Sequence, residues 1–276
     1  MSPGYGKLSW WIVPFACGLA ACSKSPPPPP PVDRAEIPSL AREISLRPDQ
    51  IRFDRTGITT AIRVERRPAS RLRARPDPNA QATPAHILVV LDPATLPDPA
   101  WPESRALIIY PASDWSKTYA RIGRQGQDPL PALKKLLDEE PREVRNELPP
   151  APGHAGARQI VRSAVRYLEF HAGRGVRFLT VYQGDPLPVA NRDIVYVFHG
   201  LTNDGRYWVT LNFPLTTRLL PTPDAALAAL ADYDRFLAGY PNYVAELARR
   251  LASARAEDFT PRLDRLDAML ESLAID

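Results

Sequence analysis

Few side chains in this sequence could carry chemistry, and histidine leads them. His171 and His199 each close an apolar, alternating run and stand just before a small residue and a turn, which would put both at one edge of a sheet. In a sequential meander one strand lies between theirs, so their backbones would stand about 9.5 Å apart. That is wide for one shared metal ion but suits a substrate cleft, with imidazole as acid or base near neutral pH. The same positions also suit residues that only cap turns. Asp193 and Asp204 flank the meander and would join such an edge, although carboxylates beside turns are ordinarily solvated. The second set is aromatic. Tyr182, Tyr196 and Trp208 would offer stacking surface to sugar rings or a partner protein if one sheet face stays open, and core packing if it does not.

The motifs of better-defined reactions are missing. The sequence has no Gly-x-Ser-x-Gly elbow, no His-Glu-x-x-His, no phosphate-binding glycine loop ending in lysine and no calcium loop. Both cysteines, Cys17 and Cys22, fall within the first 22 residues, so the rest of the chain offers no thiol nucleophile, disulfide or thiolate metal site. A net charge of +4 over 276 residues is too small to argue for nucleic acid, which needs a concentrated basic face. These features favour a chain that is not an enzyme and carries no catalytic set, cofactor or metal.

The elements that would position those residues run from Ala164 to Pro214. Four runs rich in Val, Ile, Tyr, Phe, Trp and Thr, Ala164–His171, Val176–Tyr182, Ile194–His199 and Arg206–Phe213, read as an antiparallel meander. Ala172-Gly173-Arg174-Gly175 and Thr202-Asn203-Asp204-Gly205 read as its hairpin turns, because Gly, Asn and Asp tolerate positive φ. Gln183 to Asp193, with Pro186 and Pro188, is a longer loop. Upstream, His86–Asp92 and Ala106–Tyr110 are buried-strand candidates. Ile51–Phe53 and Ile58–Val64 suggest a small hairpin about Gly57, and Trp115–Ile122 is ambiguous between helix and loop. A short helix is expected around Ser39–Ile44. Asp128-Pro129 opens a helix that Pro141 closes.

Downstream, Thr222-Pro223 and Thr260-Pro261 look like helix starts. Apolar stripes at Leu227, Leu230 and Leu237, at Val244, Leu247 and Leu251, and at Leu263, Leu266, Leu270 and Leu273 predict three helices, the first two divided at Gly239 and Pro241. The expected fold is α+β, an antiparallel β-meander packed against C-terminal amphipathic helices.

The N-terminus has a different character. Lys7 gives a positive start, Leu8–Gly18 an apolar core too short to span a bilayer, and Leu19-Ala20-Ala21-Cys22 follows. This resembles a bacterial lipoprotein signal peptide, with Leu19–Cys22 matching the lipobox. The resemblance implies cleavage before Cys22, a diacylglyceryl thioether on its sulfur and acylation of the new amine, palmitate among the chains. Several chains on one residue hold a protein to the lipid bilayer where a single chain would not. Ser23, where an inner-membrane retention signal would show Asp, implies the outer membrane, facing the periplasm, in a cell with two membranes. The six prolines Pro26–Pro31 favour polyproline II at about 3.1 Å per residue, a semi-rigid spacer.

Arg166–Phe170, Gly175–Tyr182, Tyr196–Val209 and Phe259–Asp264 together resemble a family of uncharacterised bacterial lipoproteins, from about Ala106 to the C-terminus. That resemblance implies location and fold and carries no assigned activity. The chain departs from the family before Ala106, where Arg66, Arg67, Arg71, Arg73 and Arg75 stand among prolines. The strand-then-helix layout is also similar, at the level of fold, to PsbP-like domains.

The expected organisation is thus a signal peptide over 1–21, a lipidated tether over 22–50, short strands and an arginine-rich loop over 51–84, and one α+β domain over 85–276. The expected role is an envelope lipoprotein whose domain binds a protein or cell-wall glycan, or has a structural part in the envelope. The alternative is a hydrolase or metal-binding module working at the His171/His199 edge.

Overall fold

Runs of β-branched and aromatic residues form most of the sheet, and apolar stripes at helical spacing cover it. The computed structural model describes residues 43–69, 83–92, 104–121, 128–141 and 158–276. All of them belong to one compact unit, Pro38–Asp276. In chain order its early elements are β1 (Ile51–Arg52), β2 (Ile62–Arg67), β3 (His86–Leu91), β4 (Ala106–Pro111), α1 (Ala112–Arg121) and α2 (Pro129–Glu139). Then come β5 (Arg158–Phe170), β6 (Gly173–Gln183), β7 (Ile194–Thr202) and β8 (Tyr207–Thr217). The last part comprises α3 (Pro223–Leu227), α4 (Tyr233–Ala252), β9 (Phe259–Thr260), α5 (Leu263–Glu271) and β10 (Ala274–Ile275).

The main sheet is antiparallel throughout, in the order β2-β3-β4-β8-β7-β6-β5, and β9 pairs with the end of β8. The expected four-strand meander is its larger half. Both faces are buried. On one, Tyr196, Phe198, Val209 and Leu211 pack with Leu247 and Leu251 of α4 and Leu266 and Leu270 of α5. On the other, Val176, Phe178, Val197 and Trp208 pack with Trp115 of α1 and Leu130, Leu133 and Leu137 of α2. The C-terminal helices therefore cover one face as expected, while α1 and α2 cover the second. Asp128 caps α2 by accepting from the Leu130 N–H at 3.0 Å, and Pro129 takes the first helical position, where its missing N–H costs nothing.

Several expectations are corrected. Ile51–Phe53 and Ile58–Val64 do not form a hairpin: β1 pairs with β10 near the C-terminus, whereas β2 pairs along its length with β3. Chain up to Gln50 is not all tether, since Ile44 and Leu46 are buried in the core and the Arg66 guanidinium donates to both their carbonyls. The helix expected around Ser39–Ile44 lies mostly outside the described residues, and Glu43 and Ile44 are not helical. The ambiguous stretch from Trp115 is helical in α1.

Gly239 and Pro241 do not end a helix but lie within α4. Proline removes one N–H and leaves the Leu237 carbonyl without its helical donor; both residues are exposed, so water can solvate it. Thr260 is not a helix cap, because its backbone is held in the β9 ladder opposite Thr216 and α5 starts at Leu263. The turn between β5 and β6 is only His171-Ala172. Gly173 and Gly175 lie inside β6, where a Cβ would run into the Leu201 carbonyl and the Phe198 ring respectively. Close approach, not positive φ, is what those glycines provide.

Candidate functional site

The sequence-predicted residues do not assemble as a group. Trp208 is 0% exposed, in contact with Trp115 at 4.7 Å and Tyr110 at 5.6 Å between ring centroids, beneath α1. Tyr196 is also 0% exposed but lies on the opposite face, its hydroxyl donating to the Asp267 carboxylate at 2.8 Å. Trp208 pairs with Leu201, which lies an odd five residues along β7 from Tyr196, and successive residues of a strand alternate faces, so these two aromatics cannot share a stacking surface.

The histidine edge fails for a related reason. His199 is buried on the Trp208 face, stacked on that indole at 5.7 Å, while His171 is exposed at the tip of the β5–β6 hairpin. One ring is a core residue and the other is solvated, so they line no common cleft. Asp193 and Asp204 flank opposite ends of β7, whose nine residues span about 30 Å. Asp204 is a turn residue: its carboxylate accepts from the Thr202 hydroxyl at 2.6 Å and the Arg206 N–H at 3.0 Å, contacts that hold its pKa below the usual carboxylate range. Among the described residues no three of His, Cys, Asp and Glu are grouped to hold a metal ion. Cys22 lies outside the described residues.

Asp204 borders a cleft of about 800 Å³ between the β7–β8 turn and α2, and Tyr182 and Asp193 share another. Tyr182 stands at the end of β6 on the rim of this second cleft, of about 580 Å³, within the range of small-ligand sites. Val195 of β7 and Pro214 of β8, opposite each other in the ladder, contribute from the sheet. Leu187 comes from the β6–β7 loop, and Pro223, Ala226 and Leu227 come from α3. Ser104, Gln183, Arg192 and Asp193 add a few polar groups to this mainly apolar lining.

The walls are tied in place. The Asp193 carboxylate accepts from the Ala190 N–H at 2.7 Å, Asn191 exchanges backbone bonds with Pro221 and Thr217, and the Tyr243 hydroxyl of α4 accepts from the Val189 N–H at 2.7 Å. Burial raises the Tyr243 pKa, so this phenol stays neutral. One pleat inward from Pro214, on the same face, Asn212 is fully buried. Neither its amide nor the Thr210 hydroxyl finds a hydrogen-bond partner among the described residues, a desolvation cost of about 1–3 kcal/mol each.

An apolar, anchored cleft with no paired acid and base can hold an apolar group and orient it through its polar rim. Sequence reasoning found Tyr182 and Asp193 but missed Leu187, Val195, Pro214 and Leu227. The signal for Leu227 was present, since it belongs to the first C-terminal stripe, but that stripe read as core. No protein-family model, curated protein or solved structure matches the chain. The cleft and its surroundings therefore carry the functional argument by themselves.

Proposed function

We propose that the protein is a membrane-anchored lipoprotein of the bacterial envelope, held by acylated Cys22, and that its folded domain is a non-enzymatic binding module using the cleft beside Tyr182. The observation that carries the anchoring is the sequence Leu19-Ala20-Ala21-Cys22 at the end of a short apolar segment. Among the described residues no helix is long and apolar enough to cross a membrane, which is compatible with attachment by lipid. Support for binding over catalysis comes from the cleft's mainly apolar lining and from the separation of His171, His199, Asp193 and Asp204.

Cells grown with labelled palmitate test the anchor. The full chain should take up label and Cys22→Ser should take up none. Equal labelling of both would refute it.

A further inference from the structure

Large apolar side chains that are exposed concentrate at one end of this domain. Leu227 is 58% exposed, Tyr233 42%, Leu187 40% and Leu237 37%. No other large hydrophobic among the described residues is so exposed. Leu187 and Leu227 both line the cleft. Tyr233 and Leu237, one turn apart, stand on the first turns of α4, which is bound to the Leu187 loop through Tyr243 and Val189. From Pro223 to Leu237 only Ala226 is buried, so this helical arm contributes little to the core and leaves Leu227, Tyr233 and Leu237 exposed.

We propose that this end of the domain docks on the bilayer that holds Cys22, so that the cleft opens at the lipid surface and receives an acyl chain or similar apolar group from it. The proposal rests on the anchoring reading above. Three observations select lipid as the occupant. First, the exposed set is leucine with one tyrosine, a combination suited to partial insertion at the interface. Second, the surrounding charges are mixed, with Asp224, Asp232 and Asp234 beside Arg192 and Arg235, so no single-sign field points to a charged partner.

Third, the reach of the chain is sufficient. Glu43 enters the fold near Pro111 and Arg206, at the end of the strands opposite the cleft. The 15 residues from Ser23 to Ile37, ahead of the Pro38–Asp276 unit, could extend roughly 46 Å. The longest strand, β5 with 13 residues, spans about 43 Å. The tether therefore lets this end of the domain face the membrane that holds Cys22, where tethering keeps lipid at high effective concentration and a weak apolar contact suffices.

Flotation of the chain from Ser23 onward with phosphatidylcholine vesicles at millimolar lipid tests this without any contribution from leader or acyl chains, and it retains the whole Pro38–Asp276 unit. The protein should float, and the double variant Leu227→Asp, Leu237→Asp should bind at least about tenfold less while keeping an unchanged circular dichroism spectrum. No flotation, equal flotation of the double variant, or flotation only with added phosphatidylglycerol would overturn docking through apolar contact. A dimer in solution that the double variant dissolves would assign the surface to a second copy and equally overturn it. Palmitate labelling at Cys22 reads the anchor independently, so failure of one reading is distinguishable from failure of the other.

Discussion

Asp267 of α5 is 3% exposed and accepts from the Tyr196 hydroxyl, from the Arg177 Nε and Nη2 groups at 3.1 and 3.2 Å, and from Arg166 at 2.9 Å. A buried carboxylate is tolerated only when its oxygens are so occupied, and here the set ties the last helix to β5, β6 and β7. Nothing in the spacing of the sequence revealed this partnership, because Tyr196 and Asp267 are 71 residues apart. Tyr196 was legible as a strand residue and misread as a surface for ligands, since alternation assigns a face but not what covers it.

The corrected role has a pH signature. Burial, reinforced by the neighbouring carboxylate, pushes the Tyr196 phenol well above its ordinary range. In the unfolded chain this phenol ionises from about pH 10, while the folded state keeps its proton. Its contribution to stability is thus complete below that pH and is lost as pH rises toward the folded value. Urea unfolding at about pH 8 and about pH 11 should show a smaller alkaline loss for Tyr196→Phe than for the natural chain. Equal losses would mean that Tyr196 is not what ionises.

Among the elements, the strands were the most legible. β-branched and aromatic alternation is a local property, so all four meander strands lie where the sequence puts them, each extended by a few residues. Long-range pairing was not readable: β1 finds β10 across more than 220 residues. Glycines were ambiguous for a physical reason, since the same residue permits a left-handed turn and a close backbone approach. Gly205, with φ of +68°, serves the first purpose, while Gly173 and Gly175 serve the second. Gly175→Ala should therefore force Phe198 and the His199 carbonyl, 2.7 Å from the added Cβ, to move. A loss of about 1–3 kcal/mol in urea unfolding is expected. An unchanged midpoint would show that β6 and β7 can separate freely at this point.

At the scale of the molecule, the helices cover the two sheet faces and leave clefts at both ends of the strands, of which we assign the one beside Tyr182 to binding. The α+β class was legible because strand and helix patterns follow one another along the chain. The cleft was not, since it depends on Pro214, Leu187 and Leu227 meeting from a strand end, a loop and a helix that are adjacent only after folding. The most direct measurement of the working surface is photo-crosslinking in intact cells, with a diazirine residue at Leu227 in one full-length chain and at Asn203 in another. Asn203 is exposed in the β7–β8 turn at the opposite end of β7. The account predicts lipid adducts from Leu227 and few from Asn203. Adducts from Asn203 with none from Leu227 would place the working surface at the other end and contradict it.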